Sequence, residues 1–167
     1  MNHLAQIQSE FLKVSLSGLE GVKILDMTEP FESVDKRELH GFVTNIERDT
    51  TENDDFRRVL YTGKHSQLVL MSLKPNEEIG EEVHDLDQFF RIDQGSGRVI
   101  INGREYDISD GSAFIVPEGV KHNVIAGADG LKLYSIYSPP QHADKTVHKT
   151  KEDAEKSDEH FDGKMTE

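Results

Sequence analysis

Cysteine is absent from this 167-residue chain, and its absence excludes several kinds of site at once. Disulfide bonds, thiolate metal ligands and cysteine nucleophiles all need a side chain that the sequence does not supply. Long apolar runs are also missing, since none approaches the roughly 18 residues of a membrane span. Residues 1–16 carry Glu10 and Lys13 where a signal peptide would need an apolar stretch. We therefore expect a cytoplasmic protein without a membrane partner.

Positive charge is scarce relative to negative charge. The chain has 19 Lys and Arg against 32 Asp and Glu, a formal net charge of −13. So acidic a chain is repelled by phosphate backbones and by anionic membrane surfaces. The composition therefore argues against a nucleic-acid partner and leaves small molecules and other proteins as the expected partners.

Apolar residues are distributed unevenly, which predicts a core with polar ends. Residues 1–40 form a predicted N-terminal extension, with apolar residues at helical spacing over residues 5–14. Residues 139–167 contain almost no large apolar side chains, and such a segment cannot offset its ordering entropy by burial. We expect a polar, partly disordered C-terminal tail in which His142 and His148 are solvated.

The central segment, residues 41–138, is the predicted domain, and its sequence pattern is typical of an all-β protein. Asn102-Gly103 between two apolar runs is a strong hairpin signal. Short β-rich runs separated by turn residues favour an antiparallel sandwich or barrel, and the missing helical patterns argue against a parallel sheet. The predicted strands are 56–62, 67–73, 81–84, 88–92, 98–101, 105–108, 112–116, 121–125 and 131–137.

Four residues form a candidate metal site. Glu82 and His84 lie two apart on a predicted strand and so point to the same face. Gln88 begins the next strand, and His122 follows the turn Pro117-Glu-Gly119. Two imidazoles, a carboxylate and an amide oxygen suit a borderline divalent metal such as Fe, Mn, Ni, Co or Zn.

Taken singly, these residues have a simpler explanation. A histidine near a strand end more often hydrogen-bonds or faces solvent than binds a metal. The hypothesis of a metal site therefore depends on the whole set and its spacing.

The same residues lie in two segments that resemble the two motifs of the cupin superfamily. Residues 76–95 are similar to the first motif, a Gly, five residues, His-x-His, three or four residues, Glu, six residues and Gly. Residues 111–126 are similar to the second, with Gly111, Pro117, Gly119 and His122 at the family spacing. The resemblance, especially to compact single-domain bacterial cupins (mannose-6-phosphate isomerase-like cupins), implies a double-stranded β-helix, or jelly roll.

The chain departs from the family pattern at its ligand positions. Glu82 replaces the first family His and Gln88 the family Glu, while Asn76 and Ala126 replace the opening Gly and the closing Asn. The ligands implied by the resemblance are Glu82, His84, Gln88 and His122. Because both ligand replacements keep an oxygen donor, we favour a retained metal over a vestigial site or one that binds a small organic ligand.

Further residues are candidates for substrate contacts because they lie on strands that can face the barrel cavity. They are Tyr61, Gln67, Phe90, Tyr134 and Tyr137.

The resulting function hypothesis is a metal-dependent enzyme acting on a small polar carbonyl or sugar-like substrate, of the isomerase type. The metal would polarise a substrate oxygen and Glu82 would move a proton. One alternative is a non-haem metal dioxygenase, because two histidines and a carboxylate suit O₂ chemistry. The other is a non-catalytic cupin that binds a small ligand or a metal. The resemblance also implies a homodimer.

Overall fold

The computed structural model describes residues 40–167. The predicted helix over residues 5–14 lies outside these residues. Within them, the first helix begins after Asn45, whose side chain accepts a hydrogen bond from the backbone N–H of Arg48. The elements, in chain order, are α1 (Ile46–Glu52), β1 (Arg57–Thr62), β2 (Gln67–Leu73), β3 (Asp87–Ile101), β4 (Arg104–Ser109), β5 (Ala113–Val116), β6 (His122–Ser138), β7 (Val147–His148) and α2 (Lys151–Glu155).

The strands form an antiparallel arrangement in the order β4-β3-β6-β2-β1-β7, with β5 paired to β3. The prediction of an all-β, cupin-type fold is confirmed. The hairpin predicted at Asn102-Gly103 joins β3 to β4, and both of its residues have positive φ, as a tight two-residue turn requires.

Two pairs of predicted strands are continuous. The predicted strands 88–92 and 98–101 are parts of β3, and 121–125 and 131–137 are parts of β6. The glycines between these predicted strands suggested that one strand ends and another begins. In the structure they instead allow the backbones of β3 and β6 to come into close contact. A Cβ atom at Gly97 would overlap the carbonyl oxygen of Ile125, and one at Gly95 that of Gly130. The β3–β6 register shifts at these glycines, and the strand continues beyond them.

The core lies on one face of the long strands. Residues Val69, Met71, Phe90, Ile92 and Leu133 are completely buried. Their alternate spacing along β2, β3 and β6 places them on the inward face. Burying a side chain of this size contributes roughly 1.5–3 kcal/mol, so this face fixes the register of the sheet.

The predicted strand 81–84 is wrong as an independent strand. It is reduced to an isolated bridge in which Glu82 and His122 exchange both backbone hydrogen bonds, at 2.9 and 3.0 Å. This single bridge is nevertheless the contact that matters for the candidate site, because it sets the two side chains next to each other.

The expectation that His142 and His148 are solvated is wrong, since they are only 6% and 8% exposed. Hydrogen bonds attach this segment to the sheet. Gln67 accepts a hydrogen bond from the backbone N–H of His142 at 2.9 Å and donates one to its carbonyl oxygen at 2.8 Å. β7 pairs with β1, and a capping box at Thr150 and Asp153 begins α2. The domain division at residues 40 and 138 stays a prediction.

Among residues 40–167, no helix has the length and apolar character needed to span a membrane.

Candidate metal centre

Three of the four predicted metal ligands converge in the structure. One ligand atom each from Glu82, His84 and His122 lies within 4.8 Å of the other two. Oε2 of Glu82 is the common neighbour, 3.1 Å from Nε2 of His84 and 4.0 Å from Nε2 of His122.

The local backbone explains this convergence. Glu82 and His84 point to the same side of an extended segment, and the Glu82–His122 bridge aligns that segment with the start of β6. The turn before β6 is held at both ends: Val120 N–H donates to Pro117 O at 3.1 Å, and Gly119 N–H donates to His84 O at 2.8 Å. Gly119 has φ of 75°, a conformation that favours glycine.

The charge states suit a cation. Nδ1 of His122 lies 3.2 Å from the carbonyl oxygen of Val120, which fixes the ring with Nε2 facing inward. There Nε2 is buried, without a hydrogen-bond partner among residues 40–167. Burial lowers the pKa of His122, so its imidazole is neutral at pH 7 and keeps a lone pair for a ligand. Burial acts to raise the pKa of Glu82, but the hydrogen bond with His84 and the charge of Arg57 outweigh it and hold the pKa below its usual value.

Gln88 is buried on β3, with an exposed fraction of 1%. Its Nε2 lies 3.5 Å from Oγ of Ser135, a weak contact, and its Oε1 has no hydrogen-bond partner among the described residues. A buried amide oxygen without a donor is unusual and is available to a ligand. The metal-ligand role of Gln88 stays a prediction.

Two of the predicted substrate contacts lie beside this cluster. The Phe90 ring meets His122 edge to face at 5.9 Å, and the Tyr137 ring meets His84 in the same way at 5.8 Å. Complete burial raises the pKa of Tyr137 to about 12, so its hydroxyl keeps its proton at neutral pH.

The other three predicted contacts lie elsewhere. The ring of Tyr61 stacks on that of Phe42, with 5.3 Å between the ring centroids. Its hydroxyl donates a hydrogen bond to Oε1 of Glu167 at 3.1 Å. Tyr134 is on the face of β6 opposite to Tyr137, because side chains alternate along a strand. Gln67 uses its amide group to hold the backbone of His142. Their roles in binding stay predictions.

Three further groups lie near the cluster and were not predicted from the sequence to be there. Arg57 is 9% exposed, and its Nη2 lies 3.6 Å from Oε1 of Glu82. Its alternation with Val59 on a strand was a usable signal that it faces inward. His142 packs edge to face on Tyr137 at 5.0 Å, and its Nδ1 lies 2.7 Å from Oε1 of Glu159. The polar sequence around His142 and Glu159 carries no comparable signal.

Comparison with known proteins agrees with this fold. A family model described as "Cupin domain" matches residues 69–137. The chain is 51% identical over 122 residues to "Uncharacterized protein YrkC" of Bacillus subtilis (strain 168), a match covering 68% of this chain and 65%, just under two thirds, of that protein. It is 42% identical over 108 residues to "Uncharacterized protein L612" of Acanthamoeba polyphaga mimivirus, covering 60% of this chain and 67% of the relative.

A solved structure is also similar. The crystal structure of BH2720 from Bacillus halodurans superposes with a TM-score of 0.69 and 43% identity, covering 72% of this chain and 98% of that one. The similarity therefore extends over nearly the whole of a separately folded relative.

Proposed function

This chain belongs to the cupin superfamily, and we propose that it is a metal-dependent enzyme of the isomerase type that acts on a small polar carbonyl or sugar-like substrate. The observation that supports this proposal is the convergence of Glu82, His84 and His122 on one point. Two imidazole nitrogens and a carboxylate oxygen are donors that suit Fe, Mn, Ni, Co or Zn. Nε2 of buried His122, which has no hydrogen-bond partner within the described residues, supports the same proposal, since a bound cation would give it one.

The proposal assigns separate tasks to the side chains of the site. A divalent cation held by these three residues would polarise a carbonyl or hydroxyl oxygen of the substrate. Ionised Glu82 is able to accept a proton, as an isomerisation requires. Tyr137, which keeps its proton at neutral pH, is able to donate a hydrogen bond to a substrate oxygen.

A dioxygenase is the second candidate, and one observation favours it. The set of two histidines and one carboxylate is the donor set of non-haem iron oxygenases. Oxygen uptake coupled to loss of a substrate separates the two candidates, because an isomerisation consumes no oxygen. Tight binding without turnover would instead indicate a non-catalytic cupin.

Elemental analysis of the purified full-length protein tests the proposal directly. We expect near-stoichiometric metal in the wild type and in His65→Ala, whose side chain lies exposed in the loop before β2. His84→Ala and His122→Ala should lose the metal. Assays of the loaded protein on hexose and pentose phosphates, beside neutral hydroxy-carbonyl compounds, test turnover. Absence of metal after reconstitution would contradict the proposal.

We further propose that the protein acts as a cytoplasmic homodimer. Light scattering coupled to gel filtration tests the dimer, and a mass of one chain would contradict it.

A further inference from the structure

Arg57 is the one buried cationic side chain among residues 40–167. A guanidinium carries five N–H donors, and each buried donor without an acceptor costs free energy. The 3.6 Å between Nη2 of Arg57 and Oε1 of Glu82 is longer than a hydrogen bond, and Nε of Arg57 is buried with no partner in the part of the chain that the structure describes. The structure therefore places a guanidinium in the interior and leaves it short of acceptors.

The sheet fixes this position. Arg57 pairs with Met71 of β2 on one side and with His148 of β7 on the other. Direct partners on neighbouring strands point to the same face, so Arg57 shares the inward face with completely buried Met71. Because both neighbours of β1 hold its register, the side chain remains inside.

Other buried nitrogen atoms around Arg57 also lack partners. Nε2 of His142 and Nδ1 of His148 are buried with no hydrogen-bond partner among the described residues. Burial lowers the pKa of His148, and the charge of Arg57 lowers it further. The pKa of His142 is lowered by the same two causes, which outweigh the opposing effect of its hydrogen bond with Glu159. Both imidazoles are therefore neutral at pH 7, and His148 is the direct cross-strand partner of Arg57. Because neutral His142 donates to Glu159 through Nδ1, its Nε2 is an acceptor and is available to a hydroxyl group of a ligand.

The charges around Arg57 define the kind of ligand. Arg57 contacts one carboxylate, that of Glu82, and its charge contributes to lowering the pKa of a second, that of Glu159. With these two carboxylates ionised, the group of three carries one net negative charge. A divalent cation at the metal centre changes that to one net positive charge. Uncompensated charge in a protein interior is costly, so the loaded site favours a monoanion.

We infer that Arg57 forms, beside the metal centre, a subsite for the carboxylate of a small monoanionic hydroxy- or oxo-acid. The inference rests on the proposed function, because the metal supplies the charge that makes an anion favourable there. A carboxylate matches the planar fork of a guanidinium, and a neighbouring hydroxyl or carbonyl oxygen of the same molecule then faces Glu82, His84 and His122. It narrows the proposed substrate class to acids of this kind.

Glycolate is the probe for this inference, and glycolamide is its uncharged analogue of nearly the same shape. Isothermal titration calorimetry is done on the full-length protein, loaded with the metal that it retains and, separately, metal-free. We expect loaded wild type to bind glycolate at least tenfold more tightly than glycolamide. Metal-free protein should bind neither. Addition of glycolate should also shift the Nε–H resonance of Arg57 in ¹⁵N-resolved NMR spectra of a diamagnetic loaded form.

The variants test the residue itself. Arg57→Met removes the charge at similar length, and we expect at least a tenfold loss of glycolate affinity with metal retained. Arg58→Met is the matched control, because Arg58 is the next residue of β1 but its side chain is 51% exposed; its glycolate affinity should stay within twofold. Arg57→Lys keeps the positive charge and should lose glycolate affinity several-fold, less than Arg57→Met does. It provides a second measurement if Arg57→Met fails to fold.

Each failure has its own meaning. Equal binding of glycolate and glycolamide by loaded wild type, or unchanged glycolate affinity in metal-loaded Arg57→Met and Arg57→Lys, overturns the inference and leaves the proposed function intact. A wild type that takes up no metal overturns the proposed function and this inference with it.

Discussion

Nη2 of Arg57 lies 3.6 Å from Oε1 of Glu82, while the other oxygen of that carboxylate lies 3.1 Å from Nε2 of His84. Glu82 therefore faces a cation on one side and an imidazole on the other. In the family pattern that the chain resembles, a histidine occupies this position. The replacement affects Arg57 as well as the metal centre. The two oxygens of a carboxylate can accept a hydrogen bond from a guanidinium and bind a cation at the same time, whereas a neutral imidazole has only one acceptor nitrogen.

Replacing Glu82 by Gln should weaken metal binding at least tenfold, because the change removes the charged donor of the cluster. It should also destabilise the metal-free protein by about 1–3 kcal/mol, since buried Arg57 loses its carboxylate partner. Calorimetric metal titration and urea unfolding measure the two effects. Glu81→Gln is the control, because Glu81 pairs with Lys121 at the surface. Equal effects of the two substitutions would show that Glu82 has no special role.

Replacing Gln88 by Glu should raise metal affinity strongly, because it adds a second carboxylate beside the cluster. The same change should destabilise the metal-free protein, since it places another negative charge in a position that is 1% exposed. Metal titration and urea unfolding report both effects. Gln94→Glu makes the same change at an exposed position of β3 and should alter neither. Unchanged metal affinity in Gln88→Glu would show that Gln88 is not a ligand.

The Glu159–His142 pair should make stability depend on pH in the acid range. Burial acts to raise the pKa of Glu159, but the hydrogen bonds from His142 and from the Ala143 N–H outweigh it and lower the pKa from 4.5 to about 2. Since the folded state holds the carboxylate ionised, this stabilisation is complete above the unfolded pKa and is lost as pH falls from 4.5 towards about 2.

Unfolding of Glu159→Gln across pH measures that contribution. We expect the variant to be about 1–3 kcal/mol less stable than the wild type at pH 6, with a difference that shrinks below pH 4.5. Glu155→Gln, at an exposed position of α2, should match the wild type at every pH. A pH-independent difference for Glu159→Gln would show that the carboxylate charge is not what holds the segment.

Replacing Gly97 by Ala should destabilise the protein by about 1–3 kcal/mol or more, because the added methyl group meets the carbonyl oxygen of Ile125, a backbone atom of the neighbouring strand. Thermal and urea unfolding provide the measurement. Gly63→Ala serves as the control, since the closest atom to its added methyl is 3.4 Å away. A stable Gly97→Ala would mean that β3 and β6 separate locally at little cost.

The residues of the candidate metal centre could be predicted from the sequence, whereas the positions of Arg57 and His142 beside it could not. Glu82 and His84 are close in sequence, so strand alternation predicts that they point to one face. His122 is far along the chain, and the resemblance to the two cupin motifs, rather than local spacing, predicted that it joins them. Arg57 was predicted to lie on a strand, but not to contact Glu82. His142 was assigned to a solvated tail because polar sequence alone does not reveal that Gln67 holds its backbone.

The all-β architecture was predictable from alternation and turn residues, which act over short distances along the chain, and the resemblance to the two cupin motifs predicted the three residues of the candidate metal centre. The three-dimensional fold was needed to show that β3 and β6 continue through their glycines, and that Arg57, His142 and Glu159 lie near that centre. These features depend on contacts between segments far apart in sequence: close backbone packing at Gly97, and the pairing of β7 with β1. The local sequence pattern carries no information about such contacts, because they form, and contribute to stability, only when the distant strands have paired.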